Sequence, residues 1–232
     1  MNKLFEINDY ELLSKKVYHI LKARIIKGDF SQGSKLFEAK IAKQLGVSRT
    51  PVREALRGLA AEGFVTMTPN QGMVVSKASI KDIQEVLQIR GVLEGLASRL
   101  AITLINKEDT KKLDSYIKQM EKYASRNDPL AFSSITAKFH ELIANKCGNK
   151  QLMQIRKNLS EKISRYRVKS LSIPGRLRYS LEEHQEILEA LKRKDVEQVE
   201  KLSQKHTESA FKSILFYEEK REDEIDNAEN QS

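Results

Sequence analysis

Cysteine is almost absent: Cys147 is the only one in 232 residues. No intrachain disulfide can form, and the composition fits a reducing compartment. No apolar run approaches the roughly 20 residues that a helix needs to span a bilayer, and the N-terminal stretch has no secretory pattern. Together these absences lead to the expectation of a soluble cytoplasmic protein with no membrane partner. The chain also lacks a repeat of fixed period and any low-complexity tract. It contains neither a His-Glu-x-x-His pair nor a nucleophile elbow, so an enzyme is not expected.

What is present is ordinary in hydrophobicity and uneven in charge. A hydrophobic fraction of 40% excludes a mostly disordered chain, and the length suffices for two modest domains, each with its own core. The net charge is +9. Residues 1–77 hold 13 Lys and Arg against 7 Asp and Glu, a net of +6 in a third of the chain, which favours a polyanionic partner. Residues 218–232 hold 7 acids against 2 bases; this acidic tail is expected to be solvated and disordered.

The basic segment is organised around Gly46-Val47-Ser48-Arg49-Thr50-Pro51-Val52-Arg53-Glu54-Ala55-Leu56, a turn that opens into a helix. Ser48 is a good N-cap residue, and Pro51 falls in the first turn, where a missing N–H costs little. Val52, Leu56 and Leu59 recur at helical spacing and face inward, leaving Arg49, Thr50, Arg53 and Arg57 on or near the opposite surface. A short amphipathic helix at 38–45, with Ile41, Ala42 and Leu45 apolar, precedes it. Gly63 ends it, and Phe64–Thr68 and Met73–Ser76 read as strands around the turn formers Pro69-Asn70-Gln71-Gly72. This is a winged helix-turn-helix. A first helix at 10–26 backs it with a stripe of Leu13, Val17, Ile20, Leu21 and Ile25, leaving Lys15, Lys16, Lys22, Arg24 and Lys27 outside.

The run from Gly28 to Ser76 closely resembles the GntR family of bacterial transcription regulators, down to the wing glycine and the glycine after the recognition helix. The resemblance implies double-stranded DNA as partner. Arg49 and Arg53 would read base edges, Thr50 and Lys43 would sit on phosphate with Ser48 and Arg57 nearby, and the wing at Gln71 and Gly72 would approach a minor groove. Many relatives place a further DNA-reading arginine just after the second-helix glutamate; here that position is Ala39.

From Ser79 onward no strand-like alternation occurs, and helical segments are expected near 80–105, 109–125, 129–146, 150–170, 178–193 and 195–217. Three of the four histidines, His140, His184 and His206, fall here. Their spacing alone is compatible with hydrogen-bonded core histidines or with imidazoles converging on a divalent transition metal. Cys147 reads as small-residue packing before the Gly148 turn.

The stretch 82–217 resembles the FCD ligand-binding domain of the FadR-type branch of the same family, through Arg90-Gly91-Val92-Leu93-Glu94, Phe139-His140, Gly148-Asn149, Glu183-His184 and Gln204-Lys205-His206. In many such domains three histidines and an aspartate hold a metal at the floor of an effector cavity. His140, His184 and His206 match the histidines. The aspartate's place is taken by Thr136, which leaves zinc or nickel as the implied ion with one anionic ligand fewer. Arg90 either faces the cavity and clamps an effector carboxylate or pairs with Glu94 one turn on.

The resulting expectation is a mainly α chain. A winged helix-turn-helix at 1–77 is followed by an all-α effector-binding and dimerisation domain at 78–217 and an acidic tail at 218–232. Its function would be that of a homodimeric regulator that binds a short palindromic operator and responds to a small organic acid contacted by Arg90 and Thr136. The reading from another class is a metal-dependent small-molecule binding protein or enzyme tethered to nucleic acid by its basic domain. Strong preference for one palindrome over bulk DNA separates the two.

Overall fold

The computed structural model describes residues 9–69, 72–77 and 79–229. The chain divides into two compact units, 1–78 and 79–232, each closing around its own apolar cluster.

In the first unit the order is α1 (Asp9–Lys27), α2 (Glu38–Leu45), α3 (Arg49–Ala61), β1 (Val65–Thr68) and β2 (Gly72–Val75). Val17, Leu21 and Ile25 of α1 are buried against Ile41, Ala42, Val52, Leu56 and Leu59, as the 3.6-residue spacing of these apolar side chains dictates. Two α1 side chains differ from expectation. Ile20 is 43% exposed, because the stripe that meets α3 is centred on Val17 and Leu21. Lys22 is turned inward: its ammonium donates to Glu62 at 2.7 Å and lies over the Phe64 ring.

Gly46 ends α2 with φ of +67°, its N–H returning to carbonyls of Ala42 and Lys43. A left-handed residue at that point lets α3 start three residues later, and a side chain with a Cβ would be strained there. Ser48 has the extended backbone of an N-cap but makes no side-chain cap hydrogen bond. β1 and β2 pair antiparallel, Val65 opposite Val75 and Thr68 opposite Gly72. The connector before α2 contributes to this wing. Leu36 N donates to Met73 O and Val75 N to Ser34 O, with Lys35 bridged to Val74.

The second unit is built from α4 (Ile80–Ala101), α5 (Lys107–Ser125), α6 (Pro129–Asn145), α7 (Lys150–Leu171), α8 (Arg176–Arg193) and α9 (Val196–Glu229). Side-chain capping boxes at Ser79 and Asn106 set the starts of α4 and α5, and Asp128 followed by Pro129 sets that of α6. α4 ends at Ala101, four residues before the expected end, and the Lys194 ammonium caps the carbonyls of Ile102 and Ile105 beyond it. α4 lies along α9 at close range. A Cβ on Gly95 would fall 2.8 Å from the Gln204 side chain and 3.1 Å from the Glu200 carbonyl oxygen, and Ser98 meets Ser203 at 2.9 Å. Phe132, Phe139, Leu113, Met120, Ile187 and Leu191 fill the interior.

The acidic tail departs from expectation: α9 carries the backbone through to Glu229. Glu, Lys, Arg and Ala are good helix formers, and neither Gly nor Pro follows Gly175, so nothing in the sequence stops the helix at 217. Among the described residues no helix is long and apolar enough to cross a membrane.

Candidate functional site

α3 presents a compact cationic face. Arg49, Thr50, Arg53 and Arg57 are exposed, with Ser48 and Lys43 exposed beside them, while Pro51, Val52, Ala55, Leu56 and Leu59 turn inward. The two arginines share one carboxylate on the preceding helix. Arg53 donates through Nε and Nη2 to both oxygens of Glu38 at 3.1–3.3 Å, and Arg49 reaches Glu38 Oε2 at 3.4 Å. The Arg53 hydrogen bond, with the charge of Arg53 and the hydrogen bond and charge of Arg49, holds the Glu38 carboxyl below its ordinary range against the opposing effect of burial. Gly72 is exposed at the start of β2; Gln71 lies outside the described residues. Ala39, where the resemblance implies an arginine, is exposed.

The second constellation is at the centre of the helical unit. His140 comes from α6, His184 from α8 and His206 from α9, and one ring nitrogen from each lies within 4.8 Å of the others. Two of the rings are oriented from behind. His184 Nδ1 donates to the Ser180 carbonyl at 2.5 Å, and His206 Nδ1 donates to Glu183 Oε2 at 2.8 Å. A carbonyl and a carboxylate only accept, so Nδ1 carries a proton in both rings, and Nε2 is the nitrogen that offers a lone pair when the ring is neutral. His140 Nε2 lies 3.1 Å from His184 Nε2, and Phe139 stands edge-on to both rings.

Burial, and after it the neighbouring imidazoles, holds His140 and His184 well below the ordinary imidazole pKa; both are therefore neutral ligands at physiological pH. The donor set fits a transition metal. Zn–N distances of about 2.0–2.1 Å in a tetrahedral site put ring nitrogens roughly 3.3 Å apart, close to the separation already found for His140 and His184. Thr136 is buried one turn before His140, its hydroxyl donating to the Ser133 carbonyl at 2.9 Å; it supplies no charge.

Above the histidines is a cavity of about 50 Å3, lined among others by Arg90, Thr136, Arg167, Arg176 and the three histidines. Arg90 pairs with Glu94 as one of the two alternatives has it, and it also lines the cavity. Arg90 Nη2 pairs with Glu94 Oε1 at 2.6 Å, yet the side chain lines the cavity and its buried Nε has no hydrogen-bond partner. Glu94 also accepts from Arg156 Nε at 2.9 Å, forming a buried Arg90–Glu94–Arg156 triad. On the other side Arg176 donates through Nη1 and Nη2 to Glu183 Oε2, each at 3.2 Å.

Arg156, Arg167, Arg176 and the pairing role of Glu183 were not found from the sequence. A signal existed for the first two: eleven residues are three helical turns, so Arg156 and Arg167 share a face of α7. Arg176, opening α8, carries no such pattern.

The comparisons with known proteins agree with this fold. The profile for "Bacterial regulatory proteins, gntR family" matches residues 13–75, and that for the FCD domain matches residues 85–209. The chain is 30% identical to the HTH-type transcriptional regulator YdhC of Bacillus subtilis over 78% of its length and 81% of that protein's. It is 25% identical to the HTH-type transcriptional repressor RspR of Escherichia coli over 90% and 92%. Among solved structures, Escherichia coli McbR/YncC superposes with a TM-score of 0.73 at 24% identity, covering 88% of this chain and 97% of that one.

Proposed function

This chain belongs to the GntR family of bacterial regulatory proteins and is a DNA-binding transcription regulator with an FCD domain, and on that premise we propose that it is a FadR-type homodimer of the cytoplasm, controlled by a small organic acid at a metal-assisted site. Two α3 helices read the two halves of a short palindrome. Arg49 and Arg53 take base edges, Thr50 and Lys43 take phosphates with Ser48 and Arg57 beside them, and the Gln71–Gly72 wing is placed at a minor groove. The dimer follows from area, because one winged module covers too little DNA for tight binding. Sedimentation of the purified protein is expected to give roughly twice the 26.6 kDa chain mass. A monomer at micromolar concentration, unchanged by DNA, would remove this part of the proposal.

The observation that carries ligand control is the meeting of one ring nitrogen from each of three histidines with a cavity rimmed by guanidinium groups. His140, His184 and His206 would hold zinc or nickel. The ion would supply a Lewis-acid site for one carboxylate oxygen, and Arg90 a charge-assisted hydrogen bond to the acid. With Thr136 in place of an aspartate, the ion keeps more of its charge for the effector.

Calorimetry with nickel or zinc tests this directly. His184→Ala is expected to lose metal by more than the roughly 100-fold that changes behind a ligand cause, while basal DNA binding, which uses the separate core of the first unit, persists. Thr136→Asp should tighten the metal and weaken the acid, since the new carboxylate competes for the open position. Parent-like metal and acid binding in all three histidine→alanine variants would mean that these are core histidines only.

A further inference from the structure

The cavity in the helical unit carries a charge imbalance that a single carboxylate does not remove. Arg90, Arg167 and Arg176 line it, Arg156 joins Arg90 on Glu94, and among the described residues two carboxylates, Glu94 and Glu183, answer these four guanidinium groups. Three of the four arginines have a carboxylate partner. Arg167 is the exception: it lines the cavity from α7, and among the described residues its guanidinium makes no ion pair or hydrogen bond. Beside it, the buried Nε of Arg90 also lacks a partner, in a residue only 8% exposed. Neutral His140 and His184 add no charge, and a bound divalent ion would add more positive charge. Unanswered donors and uncompensated cations on one wall of a small cavity are costly unless a ligand supplies acceptors and negative charge.

We propose that Arg167 is the residue that sets the charge of the effector, by binding a second anionic group and so selecting a small dianion, a dicarboxylate, over a monocarboxylate. The inference rests on the reading of this cavity as the effector site and makes it more specific. One carboxylate of the ligand lies at the histidines, and the other is shared between Arg167 and the Nε of Arg90. The free site itself bears on this. Loss of hydration on burial, and then the charge of Arg90, pull the Arg167 pKa down to about 10, with Glu94 opposing. The group is still a cation at neutral pH, held where its charge is unfavourable until an anion arrives. Such an arrangement sacrifices stability of the free protein for ligand selectivity.

The test compares the full-length parent and Arg167→Gln, each loaded with zinc, by calorimetric titration with the linear dicarboxylates from oxalate to adipate. Each acid is matched by its half-amide, which keeps the shape and removes one charge. The best dicarboxylate should bind the parent roughly tenfold or more tighter than its half-amide, as expected for a charge-assisted contact in a low-dielectric site. In Arg167→Gln that ratio should collapse towards one, with half-amide affinity unchanged. Removing an unanswered buried charge should also raise the melting temperature of the ligand-free variant, which separates lost selectivity from a damaged fold.

A parent that binds diacid and half-amide alike, or a variant that keeps the parent's ratio, overturns the role of Arg167 and leaves the effector site standing. A variant that melts lower than the parent overturns the claim that Arg167 is uncompensated in the free protein, and the proposal with it. If no acid of either series binds the parent, the effector-site reading fails, and the inference fails with it.

Discussion

Replacing Glu94 by alanine is expected to cost the helical unit about 3–5 kcal/mol, the usual result when one member of a buried ionic group is removed and its partners stay behind. Glu94 is 4% exposed and is the counter-ion of both Arg90 and Arg156. Without it, those two guanidiniums would lose their shared counter-ion, and Arg167, whose pKa burial and then both of them already lower, would lose the one carboxylate that opposes them there. Scanning calorimetry should show the loss in the transition of the helical unit, while the winged unit, with its own apolar cluster, melts as in the parent. An unchanged helical transition would show that the triad is hydrated and contributes little.

The same carboxylate gives a pH dependence whose sign follows from its surroundings. Burial pushes the Glu94 pKa up, but the charges of Arg90 and Arg156 and their hydrogen bonds together outweigh it, and the pKa lies below its ordinary value of 4.5. Glu183 is lowered in the same way: burial opposes, and the His206 hydrogen bond and the charges of His206 and Arg176 prevail. A carboxyl whose folded pKa is depressed binds protons more readily in the unfolded chain. Its stabilisation is therefore complete above about pH 4.5 and is lost as pH falls through the folded value. The helical unit should lose stability in that acid window, and Glu94→Gln should flatten the dependence.

Arg53→Ala should weaken binding to an operator selected from a random DNA pool by about 1–3 kcal/mol, roughly fivefold to 150-fold, if Arg53 makes a bidentate contact to a base. In the free protein Arg53 already spends its Nε and Nη2 on Glu38. That pair is solvent-exposed, so leaving it or sharing it with DNA costs at most about 1 kcal/mol and does not cancel the base contact. Arg49→Ala should act in the same direction. On random DNA each variant should lose only the affinity of one phosphate contact, with a correspondingly shallower salt dependence. Anisotropy titrations on both DNAs at two salt concentrations provide the check. Equal losses on operator and random DNA would make these side chains phosphate anchors and would leave base reading to other residues.

The sequence by itself determined the features that are local in the chain. The recognition helix was legible because Ser48, Pro51 and the spacing of Val52, Leu56 and Leu59 all lie within four turns, and caps and amphipathic period act over that range. The helical breaks at Pro129, Gly148 and Gly175 were legible for the same reason. The histidines could be placed on helices, and the resemblance grouped them, but only packing showed that Glu183 and the Ser180 carbonyl turn the His206 and His184 nitrogens towards one point. Lys22 and Ile20 exchanged their expected surroundings because the angle at which α1 meets α3 decides which edge of the stripe is covered.

The cavity charge belongs wholly to the tertiary structure. Arg156 meets Glu94 from 62 residues away, and His184 meets His140 from 44 residues away. A single helix specifies which residues share its own face, through a period of 3.6. Which faces meet across a bundle is set by the fit of side chains among all six helices at once. The chemistry of the site therefore emerged only when α4, α6, α7, α8 and α9 were packed together.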